Sequence, residues 1–376
     1  MVRNFSYIIR SLFFFLSGII KKREYDVIFY YPQHFNRGLA NENQFFKHLL
    51  LSCEQNNISY IVFEEPDFLI KSNRNSRAIP FDFIYLIIIL LRKLYSSETS
   101  IQMKDQKIGD FISKIFFRRF CFKQYITLSQ SMMSIFRGIN SNARLYDLQH
   151  GIIHNNKKNY LVDGLVESNL KDNDAHLLLS GESFKDTLIT NDNTNYFKSH
   201  AFVIGSHISA SDFIHHESNN NVLVTLQFTK DHSKEVNAML LNKLKVFILS
   251  SGDRINFYLK HHPRFHNEVD LSEIMQLPNT QFAPDDINDC FKLCSLHATT
   301  YSTCTFEAAL LGIPTILIYS RDSFNFFFTD FGYPLQYAIS DYNKGSLYQD
   351  QSRIVQKWAS KYYTPFNEAK FLDLLQ

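Results

Sequence analysis

Short β-rich apolar runs that alternate with helically spaced segments, in two successive series, constrain this chain more than any other feature. EYDVIFYYP (24–32) is followed by NENQFFKHLLLSCEQNN, where Phe45, Phe46, Leu49, Leu50 and Cys53 recur at helical spacing, and SYIVFEEP then returns as a strand. The alternation continues through YITLS, a helix reaching Met132 and Phe136, ARLYDLQHG, HLLLSGESFKDTLI and AFVIGS. A polar stretch, SHISASDFIHHESNNN (206–221), interrupts it, and a second series runs from NVLVTLQF to TILIYS. The pattern predicts the α/β class, with parallel sheets and crossover helices. We read an N-terminal Rossmann-like domain at 24–206, a linker at 207–220, a second Rossmann-like domain at 221–350 and a closing helix over 351–376. Open parallel sheets bind ligands beyond the carboxyl ends of their strands, so a cleft faced by both domains would collect the residues that directly follow strands.

Charge and cysteine content remove several function classes. Lys+Arg 39 against Asp+Glu 37 leaves a formal charge of +2, which gives no global basic field for nucleic acid. Cys53, Cys121, Cys290, Cys294 and Cys304 form no CxxC pair and suit a reducing compartment; the i, i+4 pair Cys290 and Cys294 reads as helix packing rather than as zinc ligands. No metal site is expected, and Asp285-Asp286 reads as the cap of the helix that follows. Ahead of the first strand, SLFFFLSGII lies between Arg3/Arg10 and Lys21-Lys22-Arg23. It is shorter than the roughly 20 residues a spanning helix needs. Residues 1–23 therefore read as an amphipathic segment lying on a membrane surface, or equally as a first helix packed on the domain. The apolar run at 81–97 carries the same choice between a buried and an interfacial helix.

Three strand exits carry chemistry. FYLKHHPRF (257–265) ends an apolar strand in Lys260, His261, His262, Pro263 and Arg264, a set of N–H donors suited to an oxyanion on a proline-fixed turn. TTYSTCTFEAALLGIP (299–314) places Ser302, Thr303 and Thr305 at a strand-to-helix turn, where hydroxyls and helix N–H groups either receive a phosphate or simply cap the helix. Glu307 suits a capping box there, or a ribose diol. YDLQHGIIHNNKKNY (146–160) runs a strand into Gln149-His150-Gly151, with Gly151 allowing a sharp turn that projects His150. His150 is the candidate general base, and Asp147 the alternative. His154, Lys157, Lys158 and Tyr160 extend a polar loop.

A His-Gly after a strand in the first half, a His-Pro after a strand in the second, and a Ser-Thr leading into a Glu-bearing helix and Gly-x-Pro resemble bacterial GT-B glycosyltransferases of capsule and lipopolysaccharide synthesis. The nearest types are sialyl- and polysialyltransferases, Kdo transferases and CDP-glycerol glycerophosphotransferases, and the resemblance covers about 144–320. It implies that His262 and Pro263 hold the donor's nucleotide and phosphate, that Ser302 and Thr303 contact phosphate, that Glu307 meets the ribose and that His150 serves as base. The acidic Asp/Glu-Asp/Glu-Gly motif of sialyltransferases is not evident, and DLQHG stands in its place. The implied reaction is metal-independent transfer of a sugar, a CMP-linked ulosonic acid foremost, from a nucleotide-sugar donor to a hydroxyl of a glycan or lipid-linked glycan acceptor. It would take place in the cytoplasm, at the inner face of the membrane, with no other cofactor. A UDP-sugar transferase, a sugar-nucleotide epimerase of the same fold and a non-catalytic polysaccharide-binding or export subunit are the alternatives.

Overall fold

Val27, Phe29 and Tyr31 on one side of strand β1 (Arg23–Pro32), and Ile28 and Tyr30 on the other, are all fully buried. A strand apolar on both sides belongs in the middle of a parallel sheet covered by helices. The computed structural model describes residues 2–36, 42–68, 74–95, 100–155, 157–206, 208, 219–262, 265, 267–318, 325–334 and 345–376. They form two compact units, Met1–His207 with Phe366–Gln376, and Ile208–Pro365. Most of the linker expected at 207–220 lies outside the described residues.

The first unit adds β2 (Tyr60–Glu65), β3 (Ile79–Pro80), β4 (Phe120–Leu128), β5 (Arg144–Leu148), a small hairpin of β6 (Leu161–Val162) and β7 (Leu165–Val166), then β8 (Ala175–Leu179) and β9 (Ala201–Val203). Its seven-stranded sheet has the order β3-β2-β1-β4-β5-β8-β9, and every pairing in it is parallel. The order reverses between β1 and β4, the place where doubly wound sheets open a crevice. On one face Phe46, Leu49 and Cys53 of the Gln44–Gln55 helix join Phe29, Tyr31 and Leu148 in the core. The other face is aromatic: Tyr125 stacks on Phe136 with centroids 4.1 Å apart, and Tyr30 meets Phe81 and Phe136.

The Val2–Ile20 helix packs on this aromatic face through Phe15, which contacts Phe63, Phe81 and Phe117. Beside it, Arg74 bridges the buried carboxylates of Glu64 and Asp82, the latter in the first turn of the Asp82–Leu94 helix. No described helix is long and apolar enough to cross a membrane.

The second unit holds β10 (Asn221–Thr225), β11 (Asn256–Lys260), β12 (Thr280–Phe282), β13 (Leu296–Thr299) and β14 (Thr315–Leu317), ordered β12-β11-β10-β13-β14 and parallel throughout. Thr225 pairs with Lys260 on one side and Thr299 on the other, so three loops leave the sheet at one level.

The segment 351–376 is not one helix. Gly345–Ala359 belongs to the second unit and Glu368–Leu375 to the first, where Phe371 and Leu375 enter the core beside Phe46. Pro365 separates them, because it lacks an N–H and disfavours helical backbone in the residue before it. Asn367 restarts the helix by accepting a hydrogen bond from the Lys370 amide at 3.0 Å.

Candidate functional site

Just past β4 the backbone is strained. Ser129, Gln130 and Met132 take φ of +59°, +55° and +53°, the left-handed region that costs a non-glycine residue on the order of 1–2 kcal/mol. The loop is held in that shape by its neighbours. Asp147 Oδ1 accepts from the Gln130 amide at 2.8 Å, and the Ser131 carbonyl accepts from the hydroxyls of Tyr125 (2.5 Å) and Thr127 (3.2 Å). The Gln130 side chain donates to the Asn159 carbonyl at 2.6 Å. Asp147 is only 1% exposed. Burial pushes its carboxyl up to about 7, against hydrogen bonds from Gln130 and from the Tyr160 hydroxyl (3.3 Å) that favour the ionised form.

His150 follows β5 and is half-buried, with Nε2 3.5 Å from Ser129 Oγ and its ring edge-on to Phe35, centroids 5.2 Å apart. Phe35 comes from the exit of β1 and Ser129 from that of β4, so His150 sits beside the point where the strand order reverses. Gln149 fixes the turn beneath it, accepting from the amide and hydroxyl of Ser180 at 2.9 Å each and donating to the Gly151 carbonyl at 2.8 Å. Gly151 itself has no positive φ, and nothing lies within 4 Å of where a Cβ would stand. The sharp turn assigned to that glycine is made by Gln149 instead. Of the polar loop, Tyr160 is buried against Asp147, and burial lowers the pKa of Lys157.

Asp147 is closed off from solvent and bonded to Gln130 and Tyr160, whereas His150 is half-buried.

In the second unit, His262 forms an isolated bridge with Phe265, and the two rings lie 5.0 Å apart. With Leu226 and Phe228 from the exit of β10, and with Glu268, they line a shallow hollow. Pro263 and Arg264 lie outside the described residues. The Lys260 ammonium donates to the Pro284 and Asp285 carbonyls at 2.6 Å each and so anchors the turn after β12. Asp286 caps the next helix by accepting from the Asn288 amide, as the sequence suggests. Cys290 is buried in that helix and packs in the apolar cluster with Cys294.

At the exit of β13, the Ser302 hydroxyl accepts from the Cys304 amide at 3.3 Å while the Ser302 amide donates to Thr299 Oγ1 at 3.2 Å. Ser302 thus caps the Cys304–Leu310 helix, and Thr303, which is exposed, makes no cap bond. Glu307 lies beside Tyr363, whose hydroxyl is held protonated by burial and by the nearby Glu307 carboxylate. His262 lines the hollow and Ser302, Thr303 and Glu307 do not; β11 and β13 flank β10, so their ends stand roughly 10 Å apart.

What joins the two exits was not legible as a motif. Tyr301 Oη lies 2.7 Å from His232 Nε2, His232 Nδ1 lies 3.2 Å from Asn237 Oδ1, and Asn237 donates to the Thr229 carbonyl at 2.9 Å. This chain ties the β10 exit to the β13 exit across the reversal of strand order. Its one sequence signal is the position of Tyr301, immediately before Ser302 at a strand exit. Beneath it, His297 is fully buried between Thr225 Oγ1 and Thr315 Oγ1, each at 2.9 Å, and burial lowers its pKa to about 3. It is a neutral structural histidine.

No protein-family model matches the chain, and no curated protein matches it in sequence. Solved structures share its architecture. The wall teichoic acid polymerase TagF superposes with a TM-score of 0.58 at 10% identity, covering 100% of this chain and 94% of that one. S. aureus MnaA, in a co-structure with UDP, gives 0.52 at 10% identity over 91% and 92% of the two chains. The UDP-GlcNAc 2-epimerase of Methanocaldococcus jannaschii gives 0.52 at 11% identity over 93% and 98%. At such identities the likeness is one of fold, and the fold these chains have in common with this one is a pair of Rossmann-like α/β units of the GT-B type.

Proposed function

We propose that this protein transfers a sugar or related group from a nucleotide-activated donor to a hydroxyl of a bacterial surface polymer, with His150 as general base. The observation that carries the reading is the strained loop 129–132, clamped by Asp147, which sets Ser129 Oγ against His150 Nε2 at the carboxyl ends of β4 and β5. Strained backbone held by its surroundings is characteristic of functional sites. His150 takes the proton of the attacking hydroxyl, a contribution of about 10² to 10⁴ in rate. The donor's phosphate and nucleoside lie over the β10 and β13 exits, where Tyr301 and His232 fix the loops and Thr303 offers an exposed hydroxyl. His262 and Phe265 supply an apolar wall for the base or ribose. Fixed donors of this kind stabilise a departing phosphate electrostatically.

The cytidine-linked donor is the finer part of the proposal. It draws support from TagF, which has also been solved after a soak with CDP-glycerol and whose match extends over the whole of this chain. A CMP-linked ulosonic acid is one such donor. The epimerase reading rests on the Methanocaldococcus jannaschii UDP-GlcNAc 2-epimerase, whose match covers more than nine-tenths of both chains.

Thermal stabilisation by CMP, CDP, UDP and GDP tests the donor site first, since ligand at about 100 times Kd adds about 2.7 kcal/mol to stability. Stabilisation by a cytidine nucleotide supports the finer reading, and by UDP alone a uridine donor. No response to any of the four removes the donor site. A donor isomerised with no acceptor present assigns the chain to the epimerases instead.

A further inference from the structure

Three helices over the aromatic face of the first sheet turn apolar side chains outward. Val2–Ile20 buries Ser11, Phe15 and Gly18, while Phe13 and Ile20, on its outer side with Leu16, stand 67% and 74% exposed. Asp82–Leu94 buries Ile84 and Ile88 and exposes Leu86, Leu90 and Leu94 at successive i, i+4 positions. Ile101–Phe116 buries Ile108 and Ile112 and exposes Phe111 and Ile115. The three are one layer: the Phe83 amide donates to Ser11 Oγ at 3.1 Å, Arg119 just past the third helix donates to the Ile20 carbonyl at 2.7 Å, and Phe83 meets Phe116 edge-on. A layer that only covered a sheet would show water its polar side.

Charge identifies what this layer meets. Arg10, Lys21, Lys93, Lys114 and Arg118 are exposed on or beside the stripes. The first helix carries no acidic residue. Asp82 and Asp105 are buried in bridges to Arg74 and Arg92, and the exposed Asp110 pairs with Lys114. Against a formal charge of only +2 for the whole chain, these cations are concentrated on one face. Cores of protein–protein interfaces are depleted of lysine, whereas apolar side chains interleaved with lysine and arginine fit a headgroup region.

We propose that this three-helix layer docks on an anionic lipid bilayer, the apolar stripes entering the headgroup boundary and the cations meeting lipid phosphates. The docking surface is built by all three helices, not by the N-terminal segment alone, and it is independent of the donor reading.

The test is sedimentation of the full chain with vesicles of phosphatidylcholine, alone or mixed with phosphatidylglycerol. The parent protein should pellet with the mixed vesicles and be released by salt. Phe13→Ser with Leu90→Ser and Phe111→Ser, and separately Lys93→Glu with Arg118→Glu, should each reduce partitioning by about tenfold or more. Melting temperature and response to nucleotide should be unchanged in both variants, since every altered side chain is exposed. The proposal is overturned if the parent stays in the supernatant with both vesicle types, or if the triple variant pellets as the parent does. It is equally overturned if light scattering shows a parent dimer that the triple variant dissociates while neither binds vesicles, which assigns the face to a second copy of this chain.

Discussion

The Asp147 carboxylate accepts a hydrogen bond from the Gln130 amide at 2.8 Å, so a side chain buried in β5 holds its neighbour's backbone at φ +55°. Under the proposed function, Asp147 is a positioning residue that acts through Ser129 and His150.

Two substitutions separate that role from His150's. Asp147→Ala releases the loop and should lower turnover by about 10²-fold, the scale of a misplacement near 1 Å, with donor affinity unchanged. Asp147→Asn keeps an acceptor for the Gln130 amide and should retain most of the rate. His150→Ala should cost about 10²- to 10⁴-fold with an unaltered melting temperature. Initial rates paired with donor titrations decide the assignment. Equal losses for Asp147→Asn and Asp147→Ala would show that the charge, and not the clamp, matters.

The contribution of Asp147 to stability should fall as pH rises from about 4 to about 7. The folded Asp147 carboxyl is raised to about 7 by burial, above its unfolded value near 3.9, so between those limits the native state binds the extra proton. Its contribution is fully present below the unfolded value and is lost as pH passes through the folded one. Glu65, also pushed up to about 7 by burial, acts in the same direction. The buried His297 and His176, lowered to about 3 and about 4, act in the opposite sense, so the readout is the difference between parent and Asp147→Asn: from pH 5 to 8 the variant should gain melting temperature relative to the parent, and a constant difference would refute the assignment.

Tyr301→Phe should weaken nucleotide binding by about five- to tenfold, the worth of one hydrogen bond, because the loops after β10 and β13 lose their tie through His232. Calorimetric titration with the nucleotide that stabilises the parent reads this directly. Unchanged affinity would place the donor away from these loops.

Gly109→Ala should destabilise the protein by about 1–3 kcal/mol even though alanine is the better helix former. A Cβ at Gly109 would collide with the Ile135 carbonyl and stand 2.9 Å from Gly138 Cα, where the Ile101–Phe116 and Met133–Ile139 helices cross backbone to backbone. The second helix begins directly after the strained loop, so activity should fall with it. Urea unfolding monitored alongside turnover checks both; a variant more stable than the parent would contradict the close crossing.

The strands, both Rossmann-like units and the placing of His150 and His262 at strand exits could be read from the chain, because apolar runs ending in polar turns report locally. Strand order could not, since pairing β1 with β4 joins segments nearly a hundred residues apart. The same distance hid the partners of individual side chains. Lys260 reads as a phosphate ligand and Asp147 as the alternative base, and no local pattern shows that the first bonds to Pro284 and Asp285 or that the second bonds to Gln130 and Tyr160. The sequence alone does not tell a surface helix from a packed one at residues 2–20; in the structure Phe15 packs inward and Phe13 faces out.

Because Phe371 and Leu375 fill the core of the first unit from the far end of the chain, that unit is laid down early in synthesis and completed last. While the ribosome still holds Glu368–Leu375, β1 and the Gln44–Gln55 helix keep an uncovered seam of aromatic and aliphatic side chains, a period in which a chaperone or a misplaced neighbour competes for the vacancy. A chain truncated ahead of Phe371 would leave that seam open permanently.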